Sequence, residues 1–190
     1  MDAHGFVLFD TAIGRCAAIW SGAGLAGVHL PEADDETACR RLARRFPGAA
    51  PAPPPAAVAA AISRISAFLA GGRDDFLNLA LDDSRVGAFE RAVYRETRAI
   101  PAGETSTYGA IAAALGDVRE SRRVGQALGR NPWPIVVPCH RVTGAGGWMG
   151  GFSAPGGRTT KLKLLELEGA LAADSLPLFA RPRLPLDLPP

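Results

Sequence analysis

Three prolines within seven residues, Pro132, Pro134 and Pro138, constrain what this 190-residue chain can fold into more than any other feature. Each fixes φ and removes a backbone donor, so no helix can run through residues 131–142. The apolar residues between them, Ile135, Val136 and Val137, are then expected to form a short buried extended run. That run would deliver Cys139 and His140 at a sharp exit.

Adjacent Cys139 and His140 suit nucleophilic chemistry. A free thiol has a pKa of ~8.5 and is mostly protonated at neutral pH, while the thiolate is the nucleophile. A nearby histidine can take the proton, directly or through a water, if a third group orients its ring. Glu168, in a later helix, is the candidate carboxylate. Zinc binding is not expected here, because no second Cys or His lies close in sequence. A Cys-His pair is weak by itself, since a buried cysteine usually behaves as a small hydrophobe.

Hydrophobic residues make up 47% of the chain, which argues for a packed core rather than disorder. No apolar run approaches the ~20 residues of a membrane span. The first residues lack a basic segment leading into an apolar one, so a secretory signal is not expected. Three cysteines, an odd number, argue against a disulfide framework and fit a cytoplasmic setting. The net charge of +2 is unevenly placed: residues 89–170 hold 11 of the 21 basic side chains against 7 of the 19 acidic ones. Such an excess is compatible with a nucleic-acid partner, and equally with a solvated basic surface.

Along the chain, residues 6–9, 16–20 and 25–30 read as short strands separated by Gly-rich turns, and so as a small antiparallel sheet. Residues 36–46 are helix-like. The proline-rich stretch 49–57 reads as a surface linker. Residues 58–69 repeat apolar side chains at helical spacing and stop at Gly71-Gly72, and residues 76–81 read as a further strand. From Gly87 the character changes. Residues 89–100 form an amphipathic helix with Phe89, Val93 and Tyr94 on one side. Ser106 or Thr107 can cap a short helix over 108–115, and a second short helix spans 120–129. Two short helices joined by a Gly-containing turn, the second bearing Arg122 and Arg123, suggest a helix-turn-helix. The pattern alone supports a mixed α and β chain, one domain or a small domain fused to another, with a change of character at Gly87 and an irregular Pro- and Leu-rich tail (171–190).

Five ordered motifs carry a family resemblance. They are Gly103-Glu104 followed by Tyr108-Gly109; Arg122-Arg123-Val124-Gly125; Gly129-Arg130-Asn131-Pro132; Pro138-Cys139-His140-Arg141-Val142; and Lys161 through Leu164-Leu165 to Glu168-Gly169. Together they resemble the O6-alkylguanine-DNA alkyltransferases over about residues 87–170, and more faintly before that. The resemblance implies an α/β fold in two parts, an N-terminal α/β domain (1–82) and a catalytic DNA-binding domain with the helix-turn-helix (87–170). One is an N-terminal three-stranded antiparallel sheet with helices (ribonuclease H-like), the other a C-terminal winged-helix-like helical domain.

It further implies a single-turnover repair enzyme. Cys139 would accept the alkyl group, His140 would be its water-mediated base, and Glu168 would hold His140. Tyr108 and Asn131 would line the flipped guanine, with Tyr108 helping to protonate the departing oxygen. Arg122 would enter the base stack as a finger. Arg123 and Arg130 would contact DNA, and the small Gly125, Ala127 and Gly129 would allow close approach to it. Pro138, Val142, Trp148, Phe152 and Ser153 would border the substrate pocket, with backbone groups near Val142 and Ser153 on the guanine edge. The implied partner is double-stranded DNA containing O6-alkylguanine, met by a monomer without a cofactor. No metal is expected, because His4, Cys16, His29 and Cys39 do not line up with the zinc pattern of some relatives. The loop at 151–158 departs from the family: it is two residues longer, and Arg158 stands where a leucine is usual.

Two other readings have discriminating features. A non-catalytic binder of alkylguanine that recruits repair factors would lack the acceptor, and Cys139 is present. A Cys-His hydrolase would need an oxyanion hole and would leave Arg122 and the helix pair unexplained.

Overall fold

The computed structural model describes residues 5–170; the expected tail at 171–190 and His4 lie outside the described residues. Strands β1 (Gly5–Thr11), β2 (Gly14–Ser21) and β3 (Gly24–His29) form an antiparallel meander. Because strand side chains alternate, this sheet has two apolar faces. Phe6, Ala17 and Ile19 pack on Leu42 of helix α1 (Asp35–Arg45). Cys16, Ala18 and Trp20 point the other way, into the main core. Asp34 caps α1 by accepting from the Thr37 N–H at 2.7 Å, and Arg44 and Arg45 stand in its last turn, where cations suit the helix dipole.

The sheet differs from the three antiparallel strands expected. Residues Ala50–Pro51 form a fourth strand, β4, parallel to β1, in the order β3-β2-β1-β4. Part of the proline-rich stretch is therefore sheet edge and not linker, an edge being where a proline's missing donor costs least. Helix α2 (Ala56–Leu69) follows Pro55 directly.

The strand expected over 76–81 is also absent. Phe76 has φ +55°, and only a single bridge, Leu25 to Leu81, joins this segment to β3. A local clamp bends the chain here. The guanidinium of Arg64 holds Asp74, Asp74 accepts from the Phe76 N–H at 2.8 Å, and the Phe76 ring is buried edge-on against Phe68.

The C-terminal half is helical. Helices α3 (Ala88–Arg98), α4 (Tyr108–Ala114) and α5 (Ser121–Gly129) pack together, α4 capped by Thr107 and joined to α5 through Gly116 (φ +107°) and a 3₁₀ turn at Val118–Glu120. Strands β5 (Ser106–Thr107) and β6 (Val142–Thr143) pair in parallel, and helix α6 (Gly157–Leu167) closes the described chain. One core runs through both halves: Trp20, Leu25 and Phe68 share it with Tyr94, Val124, Trp133 and Leu164. Among the described residues no helix is long and apolar enough to cross a membrane.

Candidate active site

The proline segment leads into the site, but as a turn. Ile135 has φ +78° and the Val137 N–H donates to the Trp133 carbonyl at 2.8 Å, so the run expected to be extended is folded back, though its three side chains are buried as expected. Asn131 closes this loop. Its Oδ1 accepts from the Trp133 N–H (2.9 Å), and its Nδ2 donates to the Val137 carbonyl (2.8 Å) and to Cys139 Sγ (3.3 Å). One buried carboxamide thus fixes the loop and supplies a donor to the sulfur. Pro138 precedes the 3₁₀ turn Cys139–Arg141 and accepts from the Arg141 N–H at 2.9 Å, which makes the sharp exit.

Behind the sulfur lies a buried charge network. His140 Nε2 is 2.8 Å from Glu168 Oε1, and Arg141 clasps the same carboxylate through Nε (2.9 Å) and Nη2 (2.8 Å), with its Nη1 on the Ile100 carbonyl (2.6 Å). Burial alone would raise the Glu168 pKa, but its bonds to His140 and Arg141 outweigh that and hold it at about 2. An ionised carboxylate only accepts, so His140 Nε2 must carry the proton. Burial lowers the His140 pKa despite Glu168, so its ring is held neutral. Nδ1, buried and without a protein partner, is then a free acceptor.

Burial also pushes the Cys139 thiol up. The Asn131 hydrogen bond and the charge of Lys161 pull in the other direction. Lys161, on α6, is fully buried, and its Nζ donates to the Val142 and Met149 carbonyls at 2.6 Å each; burial lowers it to about 8. The sulfur is therefore a protonated thiol at rest, set among groups that favour its ionised form.

Cys139 opens onto a groove of about 540 Å³ walled by Tyr108, Gly125, Gly129, Phe152 and Ser153, with Arg122 and Trp148 at its margin. Trp148 is 63% exposed, unusual for so large an apolar ring. Gly125 lies against the Tyr108 ring, and Ser153 Oγ donates to the Gly129 carbonyl at 2.8 Å, tying the closing loop to α5. Asn131 lines a smaller pocket of about 160 Å³, which also has Cys139 in its wall.

The structure brings most expected site residues together, but not all. Val142 is buried outside the groove, its N–H donating to the Cys139 carbonyl and its carbonyl taken by Lys161. Pro138 is likewise buried and turns the chain without lining either pocket. Ala127 faces the core, where its carbonyl accepts from Tyr94 Oη (2.9 Å), so it offers no close approach to DNA; being small and apolar, it packs on the inner face of α5. Arg123 stacks 3.9 Å from the Phe89 ring centroid and pairs with Glu120; Arg130 pairs with Glu90 at 2.7 Å. Neither lines the groove. Arg141 and Lys161 were not singled out for roles at the site. The available signal for Lys161 was its helical register with Leu164 and Leu165, which puts a lysine on an apolar face.

Comparison with known proteins identifies the family. The family described as 6-O-methylguanine DNA methyltransferase, DNA binding domain, matches residues 88–170. A methylated-DNA–protein-cysteine methyltransferase of Mycolicibacterium paratuberculosis is 44% identical over 125 residues, 66% of this chain and 73% of that one.

This chain belongs to the methylated-DNA–protein-cysteine methyltransferase family.

Solved structures extend the likeness to the N-terminal half. The structure of Mycobacterium tuberculosis OGT in complex with DNA superposes with a TM-score of 0.70 at 33% identity, covering 87% of this chain and 93% of that one. The O6-methylguanine-DNA methyltransferase of Pyrococcus kodakaraensis gives 0.67 at 27% identity, over 86% and 99%. This chain thus shares a mixed α/β architecture with these structures, its described residues holding a small sheet and six α-helices.

Proposed function

We propose that this chain repairs DNA by moving the alkyl group of O6-alkylguanine onto Cys139, once per molecule. The observation that carries the reading is the arrangement at Cys139. A cysteine opening onto a groove takes a hydrogen bond from Asn131 and is followed by a buried neutral imidazole, whose one free nitrogen can accept a proton while Glu168 holds the other.

In the proposed step the thiol proton passes through a water to His140 Nδ1, and Glu168, held in place by Arg141, stabilises the imidazolium that forms. The sulfur attacks the alkyl carbon, an S–C bond forms and the C–O6 bond breaks. Tyr108, kept protonated because burial raises its pKa, donates toward the departing guanine. The thioether has no leaving path, so the protein is spent.

The base must leave the helical stack to reach the sulfur, at a cost of a few kcal/mol, and Arg122, exposed at the groove margin, fills the gap it leaves. Gly125 and Gly129 keep α5 slim enough to enter the minor groove, where degenerate readout suits an enzyme that must search all sequences. The protein acts on duplex DNA as a monomer. Its two parts, 1–82 and 87–170, correspond to a ribonuclease H-like unit and a winged-helix-like unit.

Incubation with duplex DNA bearing radiolabelled O6-methylguanine tests the reading. Label should move to the protein, one per molecule, and Cys139→Ser should abolish transfer. Repeated turnover, or transfer that survives the substitution, would sink it.

A further inference from the structure

The N-terminal half reaches the site through one long side chain. Arg45, in the last turn of α1, directs Nη2 to the carbonyl oxygens of Arg130 (3.2 Å) and Asn131 (2.8 Å). These carbonyls follow α5, where a helix end leaves oxygens without intrahelical partners. Asn131 in turn gives its side-chain N–H to Cys139 Sγ. Guanidinium, Asn131 backbone, carboxamide and sulfur therefore form a continuous chain from α1 to the nucleophile.

Two neutral bonds brace the same loop, Val28 N–H to the Pro132 carbonyl (2.9 Å) and Trp133 Nε1 to the Leu25 carbonyl (2.7 Å). Neither acts on Asn131 itself, and neither brings charge. Arg45 does both, since it also borders the 160 Å³ pocket with Cys139 in its wall. The other ionisable groups around that sulfur are differently engaged. His29 and Arg41, across the pocket, are both held by Glu32 at 2.9 Å. Lys161 approaches from α6 and is committed to two carbonyls, His140 is held by Glu168, and Tyr94 and Tyr108 are phenols on α3 and α4. Arg45 has no carboxylate partner among the described residues.

We propose that Arg45 is a positioning residue for alkyl transfer, fixing Asn131 against Cys139 and presenting a positive charge to the pocket where the thiolate forms. The inference rests on the alkyltransferase reading. Its physical content is twofold. A donor held in place stabilises the developing thiolate without reorganising, and a nearby guanidinium favours the charged form of the sulfur.

The test compares the full chain with Arg45→Gln and Arg45→Lys. Single-turnover methyl transfer is measured at saturating duplex containing O6-methylguanine, between about pH 6 and pH 9, so that DNA affinity drops out. Arg45→Gln should move the rising limb of the rate profile upward by about one pH unit, making transfer about tenfold slower wherever the thiol is still mostly protonated. Arg45→Lys, which keeps the charge, should hold the limb close to its original place. A lowered thermal midpoint with the profile unmoved in both variants would mean a merely structural arginine and would overturn the proposal, as would three coincident profiles. Absence of transfer by the unsubstituted chain would instead remove the alkyltransferase reading on which the inference stands.

Discussion

The phenol oxygen of Tyr108 lies directly against Gly150: a methyl group on that glycine would meet it at 2.6 Å. Gly150 also has φ +68°, a left-handed conformation that a side chain disfavours. The closing loop thus fits over Tyr108 only because position 150 has no Cβ. Gly150→Ala should displace either the ring or the loop. Misplacement of about 1 Å can cost on the order of a hundredfold in rate, whereas the backbone strain should cost only about 1–3 kcal/mol of stability. Transfer rates and denaturant melts measured together check this; unchanged transfer would mean that Tyr108 need not be held.

Arg122 stands exposed at the groove margin, away from the buried network. Arg122→Ala should therefore weaken repair in duplexes by about tenfold or more, since filling the emptied stack offsets part of the few kcal/mol of flipping. Reaction with a free O6-alkylguanine base should be nearly unaffected. Equal losses on both substrates would remove the finger role.

Glu168 couples the site to pH. Its folded pKa is depressed from 4.5 to about 2, chiefly by His140 and Arg141 acting against burial. Such a group adds stability above its unfolded pKa, and that stability is lost as pH falls through the folded value. Stability should thus decline between about pH 4.5 and about pH 2 from this group alone. Glu168→Gln should abolish that component and leave Arg141, 3% exposed, without its counter-charge, at a cost of about 3–5 kcal/mol. Urea melts across that pH range, with and without the substitution, decide the point; parallel curves would contradict it.

The three cysteines should separate by accessibility. Cys16 is buried in β2, and burial pushes its thiol to about 11. Peptide mapping after brief maleimide treatment at neutral pH should find Cys16 unlabelled while Cys39 and Cys139 react. Prior exposure to O6-methylguanine DNA should remove the Cys139 signal alone. Labelling of Cys16 at a comparable rate would show that the sheet opens far more readily than its packing suggests.

Much of the site was legible before the fold. Cys139, His140, Glu168, Asn131, Tyr108 and Arg122 form ordered motifs, because short-range chemistry must keep its residue types and local spacing whatever surrounds it. The first three strands were legible as short apolar runs between Gly-rich turns, and a cap at Ser106 or Thr107 from their hydroxyls ahead of an Ala-rich run; the fold uses Thr107. The segment at 76–81 misled, because its apolar pattern suits a strand while the Arg64–Asp74 clamp, made from residues ten apart, bends it. The edge strand Ala50–Pro51 was hidden by prolines that ordinarily argue against pairing.

By itself, then, the sequence determined the residue types of the candidate site and the neighbours that share their local segment, since both follow from residue type and spacing. The tertiary structure alone decided which groups are buried and which are paired across the chain. It sends Val142 and Ala127 inward, stacks Arg123 on the distant Phe89 ring, pairs Arg130 with the distant Glu90, seats Lys161 on two carbonyls, and brings Arg45 from the first helix to the Asn131 backbone. Those outcomes depend on desolvation and on contacts between distant segments, which arise only once the core has closed.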